Sequence, residues 1–217
     1  MNDEIKKFLP GFTMGLTRAA ISHPFEILKI QSQIGQKNTF NKTLFKGISY
    51  SLVANSFERG IQFYFFNKFK NENESRFASS LKSSLISTSI SFPYNIILLK
   101  KVVSKNAEKM NSSIFAKSCS LEYTRNLMGS TLFLYSYDFY KTKTDLFFVP
   151  PVLATTNVWL ITYPIDAIKN KIINDGQLNW KTLGIKNVYK GIQYPLIRSL
   201  PSSIIGMWVY EKMMELI

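Results

Sequence analysis

Residues 146–165 run for 20 positions without a charge, the clearest apolar stretch of the chain. A run of that length is enough for a membrane-crossing helix. A second uncharged stretch, 83–99, is rich in Ser and Thr, and the other apolar stretches each hold an ionisable residue. The pattern predicts helices near 6–36, 48–70, 77–104, 118–142, 147–174 and 192–215. Polar clusters at 71–76 and 141–145 read as turns between them.

Three similar phrases recur along this pattern. They are His23-Pro24-Phe25-Glu26-Ile27-Leu28-Lys29, Phe92-Pro93-Tyr94-Asn95-Ile96-Ile97-Leu98 and Tyr163-Pro164-Ile165-Asp166-Ala167-Ile168-Lys169. The prolines stand 69 and 71 residues apart, a long period that marks a repeated structural unit. Each proline lies inside a helical pattern, where it removes a backbone hydrogen bond and favours a kink. The spacing divides the chain into units 1–70, 71–142 and 143–217, each an odd helix followed by an even one.

Charge is sorted by side. The connections after the odd helices hold fourteen lysines and only two acids, Glu108 and Asp175, whereas the opposite ends are nearly balanced. Such a bias favours a multi-pass membrane topology with the lysine-rich side untranslocated. Arginine behaves differently: Arg18, Arg59, Arg125 and Arg198 fall within helices, and only Arg76 falls in a loop. A guanidinium stays charged and grips carboxylate or phosphate through two bonds, so these four are candidate anion ligands. Snorkelling, or pairing with Glu58 and Glu122, is the plainer explanation of the same residues.

Composition narrows the chemistry. The net charge of +13 admits nucleic acid or an anionic surface as partner, but the basic residues form no single stripe. A single cysteine, Cys119, excludes an intrachain disulfide, and a single histidine, His23, argues against histidine-based metal or triad chemistry. No nucleophile–histidine pairing or Gly-rich phosphate loop is present, so the expectation is a non-enzyme without a cofactor. The first seven residues are mixed in charge and do not resemble a cleaved signal or a transit peptide.

Together these residues resemble the mitochondrial carrier family. Pro24/Glu26/Lys29 with Gln33, and Pro164/Asp166/Lys169, match its odd-helix motif, and Gly11 and Gly15 match its GxxxG. The even helices carry Tyr137-Asp138-Phe139-Tyr140-Lys141 and, after Tyr189-Lys190-Gly191, Arg198, Pro201, Tyr210 and Glu211. The resemblance covers nearly the whole chain. It implies an all-α membrane protein: six transmembrane helices, as three pseudo-repeated pairs, around a central cavity. The implied localisation is multi-pass in the mitochondrial inner membrane, as a monomer contacting membrane lipid and no nucleic acid. Cardiolipin would sit near Gly47 and Gly191 by the same analogy. The short connections and the Lys/Asn/Ile-rich character mark a compact, divergent member similar to virus-encoded carriers.

The resemblance also implies a function, exchange of small anionic metabolites by alternating access. Its contact positions fall at Ala54/Asn55, Arg125/Asn126 and Arg198/Ser199, with Arg18 and Arg59 adding charge. The arginine count favours nucleotides or deoxynucleotides over di- or tricarboxylates and keto acids. A carrier-fold protein that no longer transports and a basic nucleic-acid-binding protein are the further alternatives. The matrix gate would comprise Pro24, Glu26, Lys29, Gln33, Pro93, Asn95, Pro164, Asp166 and Lys169. The cytoplasmic gate would comprise Lys70, Asp138, Lys141 and Glu211. Within them the family pattern leaves two ion pairs, Asp166 with Lys29 and Lys70 with Glu211. Glu26 would face the uncharged Leu98, and Asn95 would face Lys169.

Overall fold

A computed structural model describes residues 3–33, 45, 48–103, 112–175, 189 and 192–216. Six helices account for nearly all of them: α1 (Asp3–Gln33), α2 (Ile48–Asn71), α3 (Arg76–Val103), α4 (Ser112–Lys141), α5 (Val149–Asp175) and α6 (Gln193–Leu216). The count and order match the sequence pattern, and the largest difference in a helix start is α4, which begins six residues earlier at Ser112. The helices run on past Pro24, Pro93 and Pro164 without ending.

Local chemistry explains the two tight turns. Asn73 has φ 60°, a left-handed conformation that Asn tolerates better than most residues. Ser75 then caps α3, accepting from the Ala78 N–H at 3.3 Å. Before α5, the Leu146 N–H donates to Thr144 Oγ1 at 3.4 Å, and Pro150 and Pro151 occupy its first turn, where a missing N–H costs little.

Each helix packs on its neighbours in sequence, and α6 closes onto α1, so the six form a ring. Cross-helix contacts run in opposite senses along each pair: Gly11 lies against Gly60 and Gly15 against Asn55, while Gly129 lies near Thr162 and Arg125 against Asp166. The ring is therefore up-and-down. One end gathers the C-termini of the even helices; the other gathers the second halves of the proline-bearing helices.

The first end is closed across the middle. Met14, Phe63, Phe66, Phe133, Leu134, Tyr137, Ala154, Met207 and Tyr210 form one buried cluster drawn from five helices. Polar contacts tie α2, α4 and α6 to one another beside it: Lys70 with Asp138, Lys141 with Glu211 at 2.7 Å, and Asn67 Nδ2 donating to Tyr210 Oη at 2.9 Å. Lys70 and Lys141 are about half exposed, 46% and 49%, so each ion pair contributes roughly 0–1 kcal/mol. Burying a single Phe contributes about 1.5–3 kcal/mol. The apolar cluster dominates the closure.

Several expectations are corrected here. Among the described residues no helix is long and apolar enough to cross a membrane. Length is not what is lacking, since the shortest helices have 24 residues, about 36 Å at the standard rise. Apolarity is. On α3, Ser79, Ser80, Ser83, Ser84, Ser87, Thr88 and Ser91 are all buried. The hydroxyls of Ser79, Ser80, Ser83, Ser87 and Ser91 turn back on their own helix, as Ser80 Oγ does to Arg76 O at 2.7 Å. Large apolar side chains such as Phe57, Ile90, Leu160, Ile197 and Trp208 point outward instead. The six-transmembrane-helix fold is therefore not supported. Nor are the multi-pass mitochondrial inner-membrane placement, membrane lipid as partner, or exchange of metabolites by alternating access.

Small residues set how closely α1 and α2 approach. A Cβ on Gly15 would lie 2.6 Å from the Asn55 carbonyl oxygen, and one on Gly60 would lie 2.4 Å from the Phe8 ring. At Gly129 the nearest atom is 3.6 Å away, an ordinary contact. Gly15→Ala is therefore expected to destabilise by about 1–3 kcal/mol through overpacking. Gly129→Ala should be neutral or stabilising by up to about 1 kcal/mol through helix propensity. Chemical denaturation of both variants checks this, and equal effects would refute the assignment of close approach to Gly15.

Candidate anion site

Arg18 lies one turn beyond Met14 along α1, directly against the apolar closure. Its guanidinium carbon stands 5.0 Å from the centroid of the Phe133 ring, and its Nη2 donates to Ser203 Oγ on α6 at 3.0 Å. Gly206 makes the room. A Cβ there would be 2.4 Å from Arg18 Cγ, so α6 passes over the arginine stem only because that position has no side chain. Arg18 Nη1 is buried and has no hydrogen-bond partner among the described residues.

Like charges surround this group. Burial first, then Arg59 and Arg198, lower the pKa of Arg18, while Glu58 acts in the opposite sense. Glu58 lies one residue before Arg59 on α2, within electrostatic reach of Arg59, Arg125 and Arg18 and within hydrogen-bond reach of Ser91 on α3. Burial pushes its carboxyl above the ordinary value despite those cations. Arg59 Nη1 donates to Gln62, whose own amide faces Ser84 Oγ and Ser130 O at 3.5 Å.

A second cluster joins α4 to α5, nearer the proline end. Arg125 Nε meets Asp166 at 3.0 Å, and Lys169 Nζ meets Glu122 at 2.5 Å and Asp166 at 3.4 Å. The expected Glu122–Arg125 pair is present but looser, at 3.7 Å. Arg125 also donates to Asn126 Oδ1 at 2.8 Å and lies 5.5 Å from the Trp159 ring. Two acids balance two bases here, so the cluster is a self-contained network. Burial would raise the pKa of Glu122, but Lys169 and Arg125 outweigh it and hold the carboxyl below its ordinary value.

The expected positions are thus divided among different roles. Arg18 has Arg59 and Arg198 within electrostatic reach. Arg125 reaches Glu58 electrostatically while bonded into the α4–α5 network. Asn126 joins that network too, donating to Glu122 at 3.2 Å. Asn55 turns onto its own helix, donating to Ser51 O at 2.8 Å, and Ala54 precedes it at the α1–α2 contact. The Ser199 hydroxyl is used in both senses, accepting from Trp159 Nε1 at 2.7 Å and donating to Pro195 O at 2.7 Å.

The two expected gates also differ from their pattern. Lys70 pairs with Asp138 rather than Glu211, and Arg76 approaches the same carboxylate at 3.3 Å. Glu211 takes Lys141 and accepts from the Tyr137 hydroxyl, whose proton burial and Glu211 together hold far above the phenol range. At the proline end, the side chains of Glu26, Lys29, Gln33 and Asn95 lie outside the described residues, as do Gly47 and Gly191. The Asp166–Lys29 pairing falls there with them. Among the described residues no group of acids, histidine and cysteine is disposed to hold a metal ion.

The positions missed by sequence reasoning are those acting through packing: Phe133 beneath Arg18, Gly206 above it, Gln62 beside Arg59 and Trp159 beside Arg125. Gly206 had one available signal, as the lone glycine of α6. No protein-family model matches the chain, and no curated protein sequence matches it either. With no family match and, among the described residues, no helix long and apolar enough to cross a membrane, the resemblance to mitochondrial carriers is not supported.

The lowered pKa of Glu122 has a testable sign. Its contribution to stability is complete above the unfolded value of 4.5 and is lost as pH falls through the lower folded value. Between about pH 5 and 3 the unfolding free energy should fall more steeply for the wild type than for Glu122→Gln. Parallel curves from urea denaturation at several pH values would show that the Lys169 and Arg125 contacts do not stabilise the folded carboxylate.

Proposed function

We propose that the ring binds a small polyvalent anion bearing phosphate or carboxylate groups, held by Arg18, Arg59 and Arg198 with Arg125 at the margin. The observation that carries this reading is Arg18 Nη1, a buried donor without a hydrogen-bond partner among the described residues, set among other cations. A buried unsatisfied donor costs about 1–3 kcal/mol, more if charged. Clustered guanidiniums add repulsion. An anion at this place relieves both costs at once, and the planar fork of arginine suits it.

The division into units 1–70, 71–142 and 143–217 belongs to the same proposal, since each supplies at least one arginine: Arg18 and Arg59, then Arg125, then Arg198. The role assigned is binding, and no chemical step is assigned to the site. The sequence puts most lysines in the connections that follow the odd helices, and a net charge of +13 favours approach of an anion.

Thermal unfolding with sulfate, citrate or ATP at constant ionic strength, against chloride, tests the reading. Ligand at a hundred times its Kd should stabilise the wild type by about 2.7 kcal/mol. Arg18→Gln should weaken binding at least tenfold, about 1.4 kcal/mol. Lys212→Gln, at the opposite end and paired with Glu215, should leave binding unchanged. Equal stabilisation of wild type and Arg18→Gln, or no stabilisation by any of the three anions, would refute the site.

A further inference from the structure

Ser203 departs from its neighbours on α6. Ser199 donates to Pro195 O at 2.7 Å and Ser202 to Ser199 O at 3.0 Å, so both turn back on their own helix. Ser203 is fully buried, and its hydroxyl oxygen accepts from Arg18 Nη2 at 3.0 Å. Among the described residues its own proton has no acceptor. A hydroxyl carries one donor besides its lone pairs, so a donor is left over here as it is at Arg18 Nη1.

The two spare donors lie close together. Nη1 and Nη2 stem from the same carbon of a rigid planar fork, which sets the Ser203 oxygen within a few ångström of Nη1. The guanidinium is held in that position. The Phe133 ring centroid lies 5.0 Å from its central carbon, and α6 passes over its stem at Gly206, one turn beyond Ser203. The charge also acts on the hydroxyl, because an O–H whose oxygen accepts from a cation is polarised into a stronger donor. The carbonyl four residues back, Ser199 O, is bonded by Ser202 instead.

We infer that Ser203 is a ligand-contacting residue of the anion site: its hydroxyl donates to one oxygen of a bound oxyanion while Arg18 Nη1 donates to another. The inference rests on the proposed anion site. It also names the class of group held there, one whose oxygens share a single centre, as in sulfate, a phosphate group or a carboxylate. Neighbouring oxygens on one centre match two donors that lie close together. The hydrogen bond from Arg18 Nη2 to Ser203 is kept, and the hydroxyl turns about its Cβ–Oγ bond to meet the ligand. Both leftover donors are satisfied in the same event, so each contributes to affinity through a charge-assisted hydrogen bond.

Sulfate is the probe, its Kd measured by equilibrium titration at constant ionic strength against chloride. Ser203→Ala should weaken binding about tenfold, the loss expected for a hydrogen bond to a charged group. The same substitution in Arg18→Gln separates contact from positioning. A direct contact predicts a further loss there of at least about threefold. No further loss would show that Ser203 acts through Arg18, which overturns the inference and leaves the anion site standing. Unchanged or tighter binding by Ser203→Ala alone has the same consequence. If Arg18→Gln binds too weakly for that comparison, the thiol introduced by Ser203→Cys decides. Its S–H stretching band, separated from that of Cys119 by difference against the wild type, should move to lower frequency when sulfate binds, and an unmoved band refutes the contact. Absence of sulfate binding by the wild type would remove the anion site and this inference together.

Discussion

At Gly15 the backbone of α2 comes so near to α1 that a single added carbon would lie 2.6 Å from the Asn55 carbonyl oxygen. Gly11 and Gly60 repeat this closeness one turn away, and Gly206 does the same on α6 for the stem of Arg18. Because α1 is held tightly between α2 and α6, Arg18 has little freedom in where it points. Its guanidinium is pressed over Phe133 and toward Arg59 and Arg198. The candidate site is thus a consequence of backbone proximity, and the proximity depends on residues that have no side chain there.

Two polar systems in the ring obey different electrostatic logic. Glu122, Arg125, Asp166 and Lys169 balance charge for charge, and their shared contacts of 2.5–3.7 Å make a network that needs nothing added. Around Arg18, among the described residues, the cations outnumber the acid Glu58, and a donor is left over. A balanced cluster stabilises the fold, whereas an unbalanced one stores a cost that a ligand can relieve. The closed end belongs to the first kind, with Asp138 and Glu211 each taking a lysine beside an apolar cluster that supplies most of the stability.

The sorting of lysines to alternate connections looked like the mark of a membrane topology. In an up-and-down ring alternate connections start from opposite ends, so the bias distinguishes the two ends of the ring and does not by itself show a membrane. The buried hydroxyls of α3 explain the rest of the discrepancy. Serines bonded to their own helix let neighbouring helices pack closely, and they lower the apolarity of the helix that carries them. The threefold recurrence of the prolines is a fact of the sequence; a family assignment and a transport mechanism do not follow from it when no family model matches and no described helix is apolar enough to cross a membrane.

Six helices, their order, the turns at 71–76 and 141–145, and arginines lying within helices were all legible in the amino-acid order, because helical period and turn chemistry are local. The small residues Gly11 and Gly15 likewise announced a close contact. Partner choice was not legible. Lys70 meets Asp138 rather than Glu211, and Lys169 meets Glu122, because each pairing depends on how two helices are rotated and how far each has slid. One residue of register turns a side chain by about 100° around its helix, enough to exchange one partner for another. Which arginines come within reach of one another, and which bond an acid as Arg125 does Asp166, is therefore decided only when the ring closes.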